Sequence, residues 1–177
     1  MRLIQGRRMD AASSPETLKW DGTSNFAIDG ILKKLCNLCT GNADMPLRFL
    51  AMESVVLCLR EMKPGTLCVS MRDVIVRLVE ERCQEAYPGV PSQMRDVMDE
   101  LVRLDSKPSA KLFWTDYVVR LLDTRSTSIG IYPPLSRLTS FVGAQNLLSR
   151  RPSLPAKLLS VIASDANAAK PIADWLE

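Results

Sequence analysis

From Ile28 onward the apolar residues return at steps of three and four, and hardly any stretch keeps the two-residue alternation of a half-buried strand. Ile28, Ile31, Leu32, Leu35, Leu38 and Cys39 mark one face of a first helix that Gly41 can end. Asp44 can cap a second helix, with Pro46 in its first turn, which runs to about Met62 and stops before Lys63-Pro64-Gly65. Its apolar residues, among them Leu47, Leu50, Val55 and Leu57, go nearly all the way round, which predicts a central, buried helix. Ser70-x-x-Asp73 has capping-box spacing and opens a third helix bearing Val74, Ile75, Leu78, Val79 and Cys83, where Asp73 and Arg77 are spaced for an ion pair.

Pro88-Gly89-Val90-Pro91 is the strongest breaker and falls at the midpoint of the chain. A fourth helix over Ser92 to Asp105 turns Met94, Val97, Met98, Leu101 and Leu104 inward, and a fifth follows Lys107-Pro108-Ser109. Residues 124–134 read as loop, with Ser128 to Tyr132 the one passage faintly like a strand. Shorter helices near 135–149 and 155–164 precede a segment ending at Trp175-Leu-Glu177. The reading is all-α, with roughly eight helices in two small helical subdomains, 24–89 and 90–177, behind a mobile basic arm over 1–23. A chain of 177 residues buries roughly 70% of its extended surface on folding, so a core needs neither disulfides nor metals. The segments between breakers share no motif, which argues against a helical solenoid.

The chain has no histidine, and that excludes much chemistry. Ser-His-Asp and Cys-His mechanisms and the commonest zinc ligand all need an imidazole. Cys36-Asn-Leu-Cys39 has the gap of a zinc or redox motif, yet Cys58, Cys68 and Cys83 are scattered singly; Cys39 lies on the apolar helix stripe and Cys36 flanks it, so both read as reduced packing residues. Carboxylates at Glu80-Glu81 and at Asp96, Asp99 and Glu100 stand beside Arg77, Arg82, Arg95 and Arg103, the pattern of a solvated, charge-laced face. No phosphate-cradling glycine loop occurs. The expectation is a protein that is not an enzyme, with no catalytic residues, metal or cofactor. Nothing in the sequence reads as a signal peptide or as an apolar run of about 20 residues, so no membrane is expected. Five cysteines, an odd number confined to residues 36–83, fit the reducing cytosol better than a disulfide framework.

Charge is laid out unevenly. The net charge is only +3, but residues 124–164 carry Arg125, Arg137, Arg150, Arg151 and Lys157 against no acid. A long stretch of one sign is what a phosphate-binding surface needs, because neutralising phosphates releases counterions. Arginine also forks onto phosphate oxygens. The arm adds Arg2, Arg7 and Arg8. A plain solvated surface that happens to lack acids accounts for the same stretch. Phe113, Trp114 and Tyr117 fall on a helical stripe and read as core, whereas Tyr132, between Arg125 and Arg137, reads either as a stacking platform or as a clasp beside Pro133.

A small, histidine-free, helical chain with arginines at Met1-Arg2 and Arg7-Arg8, Leu/Val-rich helices around Val55-Val56-Leu57 and a break at Pro88–Pro91 resembles the RNA-silencing suppressors of closteroviruses along its whole length. The resemblance implies a plant-virus protein, cytoplasmic in the host cell, that sequesters single- or double-stranded RNA without sequence preference. It also implies a ring-shaped homo-oligomer with RNA on a basic inner surface, where symmetry repeats one modest patch in every subunit. On this reading Arg125, Arg137, Arg150, Arg151 and Lys157 contact phosphates, with Arg7 and Arg8 as a mobile clamp. The alternative is a helical protein–protein adaptor or viral assembly factor that uses apolar grooves.

Overall fold

The three-four period becomes nine α-helices among the described residues: α1 (Asn25–Thr40), α2 (Met45–Glu61), α3 (Val69–Arg82), α4 (Val90–Leu104), α5 (Ala110–Arg125), α6 (Tyr132–Val142), α7 (Ala144–Arg150), α8 (Leu154–Ser164) and α9 (Ala169–Leu176). This computed structural model describes residues 25–40, 43–85, 89–105 and 107–176, and the expected arm over 1–23, with Arg7 and Arg8, lies outside them. No strand occurs among the described residues, so the all-α reading holds. The strand-like passage is a 3-10 turn over Ile129–Ile131 that leads into α6, and Pro133 and Pro134 sit inside the first turn of that helix. Proline lacks the N–H that a helix start leaves unpaired, so it belongs there.

Capping sets the start of α2 as the sequence suggests, for the Asp44 side chain accepts from the Leu47 N–H at 3.1 Å. The start of α3 differs. Cys68 holds its N-cap position, Ser70 lies within the first turn, and Asp73 pairs with Arg72 at 3.5 Å instead of with Arg77. Gly143, at φ +87°, divides the single helix expected over 135–149 into α6 and α7, because only glycine takes that backbone conformation without strain.

The central helix is α4, not α2. Val90, Met94, Val97, Met98, Leu101, Val102 and Leu104 are all buried, and α4 packs most extensively on α6 and next on α2. Burying a side chain of this size contributes roughly 1.5–3 kcal/mol. The helix α2 instead buries one face, through Met52, Val55 and Leu59, and leaves Leu47, Leu50 and Leu57 43%, 59% and 59% exposed. Its position comes from α1 on one side and α4 on the other. One continuous apolar cluster runs from Leu32 to Trp175, across the turn at Gly89 that introduces α4.

Polar side chains close the helix ends. Arg103 of α4 donates to the carbonyls of Leu59 at 2.7 Å and of Met62 at 3.2 Å, capping the C-terminus of α2. The end of α1 is closed by two arginines: Arg48 donates to the Cys39 carbonyl at 2.8 Å and Arg82 to the same oxygen at 3.4 Å. Both guanidinium groups pair with Glu85, and Arg82 is completely buried, so it does not belong to the solvated face its sequence neighbours suggest. Burial lowers the pKa of Arg82, and the Glu85 carboxylate opposes that shift.

The turn after α5 depends on one close approach. A Cβ at Gly130 would stand 2.1 Å from the Cys83 carbonyl oxygen, while one at Gly30, on the outside of α1, would meet nothing within 4 Å. Gly130→Ala is expected to cost about 2–3 kcal/mol and lower the thermal midpoint by roughly 5–10 °C. Gly30→Ala is expected to raise stability by about 0.5–1 kcal/mol through helix propensity. Paired melting curves followed by circular dichroism check both signs.

Candidate nucleic-acid interface

Three of the sequence-predicted cations gather on one strip, and acids from α5 meet them there. Asp116 and Asp123 are seven residues apart, two helical turns, and so share a face of α5. Arg150, the last residue of α7, forks onto Asp116 with Nε at 2.8 Å and Nη2 at 3.3 Å. Arg151, just beyond α7, reaches Asp123 at 3.2 Å, and Lys157 from α8 reaches the same carboxylate oxygen at 3.2 Å. The side chains of Arg150, Arg151 and Lys157 are 55%, 45% and 29% exposed. The strip is thus a surface of ion pairs, each open to water on one side.

Lys157 has a second task. Its Nζ donates at 2.8 Å to the backbone carbonyl of Asp123, one of the carbonyls that the end of α5 leaves without a helical partner. A carboxylate in the last turn of a helix opposes the helix dipole, and Arg151 and Lys157 offset the cost of Asp123.

The other two cations point elsewhere. Arg125, at the end of α5, acts on Cys83 just past α3, whose thiol burial pushes up to about 12 while Arg125 opposes the shift. Arg137 is exposed on α6 and acts on Asp99 of α4, whose carboxyl is raised by burial and lowered by Arg137 and Arg95. The stretch without acids therefore does not form one continuous basic face. Arg7 and Arg8 lie outside the described residues.

Tyr132 is a clasp. It is completely buried at the start of α6, its hydroxyl donates to the Ser126 carbonyl at 2.6 Å, and its ring lies 5.8 Å from that of Trp175. The Trp175 indole N–H in turn donates to Thr139 Oγ1 at 2.8 Å, which ties α9 to α6. Trp114 and Tyr117 are core, as their stripe predicts, and Phe113 is half-buried beneath the Arg72 guanidinium, 3.7 Å from its ring centre. A cleft of about 1000 Å³ is lined by Glu85, Arg95, Tyr132, Pro133, Asp174 and Trp175 among others, and none of the expected phosphate ligands among the described residues lines it.

What sequence reasoning missed is the pair of acids on α5. Their two-turn spacing was visible, but the partner helices that bring cations to them are 34 residues away in the chain for both Arg150 and Lys157. Among the described residues, no helix is long and apolar enough to cross a membrane, and no group of three or more His, Cys, Asp or Glu residues is placed to hold a metal ion.

Cys36 and Cys39 are buried packing residues on the inner face of α1, where burial pushes their thiols to about 12 and about 11. Cys83 is buried too, and Cys58 and Cys68 are half-buried. Under native conditions near neutral pH, a thiol reagent such as Ellman's is expected to label Cys68 first, with Cys58 slower because burial raises its thiol as well. Cys36, Cys39 and Cys83 should react only on addition of denaturant, and mass spectrometry of tryptic peptides gives the order. Compared with protein-family models, with curated proteins and with solved structures, this chain matches none of them.

Proposed function

We propose that this chain is a non-enzymatic, sequence-independent RNA-binding protein that suppresses RNA silencing in a virus-infected host cell by sequestering RNA, acting in the cytoplasm as a closed, ring-shaped homo-oligomer. The observation that carries the reading is the convergence of Arg150, Arg151 and Lys157, from two different helices, on one exposed strip beside α5. Arginines grouped this way can fork onto successive phosphates, and such contacts follow backbone and shape rather than base identity. Exposed ion pairs are weak, so they leave the cations available to a stronger polyanion. The resemblance to closterovirus suppressors supports the same reading and adds the ring. Arg125, which acts on Cys83, and Arg137, which acts on Asp99, together with Arg7 and Arg8 of the N-terminal segment, would extend contact along a longer RNA.

A second reading, a helical adaptor or assembly factor, rests on the outer face of α2. Leu47, Leu50 and Leu57 lie along the side of that helix turned away from the core. Leucines at this spacing form the seam by which one helix packs on another.

The basic strip and the apolar face of α2 are tested separately. Replacing Arg150 and Arg151 together by alanine should weaken binding to two unrelated RNAs about equally. It should also make the dependence of log affinity on log salt shallower, since each phosphate contact contributes a slope of about −0.7 to −0.9. The melting temperature should barely move, because both side chains are exposed. Filter binding over a salt series measures this, and unchanged affinity and slope would take the RNA surface off this strip. If the outer face of α2 joins copies of the chain, replacing Leu50 and Leu57 by glutamate should leave the helical signal intact and dissociate the assembly. Sedimentation equilibrium is the check, and wild-type protein at monomer mass at micromolar concentration would reject the ring.

A further inference from the structure

The strip that this reading assigns to RNA is already occupied by carboxylates of the same chain. Asp116 holds Arg150 through two bonds, and Asp123 holds Arg151 and Lys157 through one shared oxygen. The two acids stand in a row along one face of α5, an arrangement that presents negative charge to the cations much as a phosphate backbone would. All five side chains keep between 29% and 55% of their surface exposed, so an incoming anion can reach the cations without unfolding any helix.

Resting on the RNA-binding reading, we infer that Asp116 and Asp123 form an autoinhibitory latch, an internal phosphate mimic that RNA must displace to bind Arg150, Arg151 and Lys157. A latch of this kind sets a threshold. A single phosphate gains little by replacing a carboxylate of equal sign. A polyanion offers several phosphates at once, so opening the pairs is repaid over the whole strip. The latch also alters the response to salt. Added salt screens the exposed ion pairs and frees the arginines, while it weakens phosphate binding through counterion release. In the native chain these two effects oppose each other, so its salt dependence is shallower than the number of its phosphate contacts would give.

The experiment uses the full chain, a short labelled RNA duplex and a labelled single strand of unrelated sequence, with affinities read by fluorescence anisotropy over a salt series. Asp116→Asn with Asp123→Asn is expected to tighten binding to both RNAs by roughly tenfold at low salt. The salt dependence of that variant should be steeper, so that its curve and the wild-type curve converge at high salt. Glu53→Gln with Glu81→Gln removes the same charge from exposed acids on α2 and α3, outside the strip, and should tighten binding far less. Adding Arg150→Ala and Arg151→Ala to the aspartate variant should abolish the gain. Should the double aspartate variant fail to fold, Asp123→Asn alone frees Arg151 and Lys157 and should give a smaller gain in the same direction.

Wild-type binding that the aspartate substitutions leave unchanged, or that both acid-to-amide pairs tighten equally, would overturn the latch and leave the RNA reading standing. Absence of RNA binding by wild type, aspartate variant and control alike, with all three folded by circular dichroism, would overturn both.

Discussion

The inward stripe of α4, from Val90 through Val97 and Leu101 to Leu104, is closed by α2 on one side and by α6 on the other, and the rest of the fold takes its position from that burial. The helix α1 lies on α2, α5 and α9 lie on α6, and α7 bridges α5 and α6. Because α4 is apolar on its inner face, it can be enclosed with its charges kept to the rim and the outer side, Asp99 lying at the edge where burial raises its carboxyl. The charges at its rim then act on its neighbours, as Arg103 does in capping α2 and Glu100 in pairing with Arg60 and Arg103.

The polar interactions of this protein fall into two energetic classes. Arg82 is completely enclosed, and its charge is tolerated because Glu85 and the Cys39 carbonyl stand against it. Removing that carboxylate would leave a buried cation facing Arg48, which is the expensive kind of loss. The pairs of Arg150, Arg151 and Lys157 with α5 are the opposite kind, half in water and cheap to open. The first class holds the ends of α1, α2 and α3 together, and the second leaves its charges available to other anions. The proposed function draws on the second class alone, so a surface can change partners while the core stays as it is.

Much of this was legible from residue order. The helical period, Asp44 as a cap, the prolines and the acid-free stretch are local or compositional facts, and local facts decide where a helix can start and stop. Cys36 and Cys39 read correctly as packing residues because their position on the stripe and the lack of a second ligand pair are both visible in one dimension. Among the readings that failed was the burial of α2. Apolar residues all round a helix say that it can be enclosed, and which of its faces finds a partner depends on helices elsewhere in the chain.

The sequence by itself determined the all-α class, most helix boundaries and the burial of Cys36 and Cys39, since each follows from side-chain periodicity, capping and backbone constraint within a few residues. Only the tertiary structure decided that α4 is central, that Arg82 is buried while Leu50 and Leu57 face outward, and that Tyr132 is a clasp. It alone decided that Arg150, Arg151 and Lys157 meet Asp116 and Asp123. The physical reason is range. Helix formation is a matter of neighbours three and four residues apart, whereas the burial of α4 and the pairing of the strip join side chains distant in the chain, and their partners are chosen by how the helices pack.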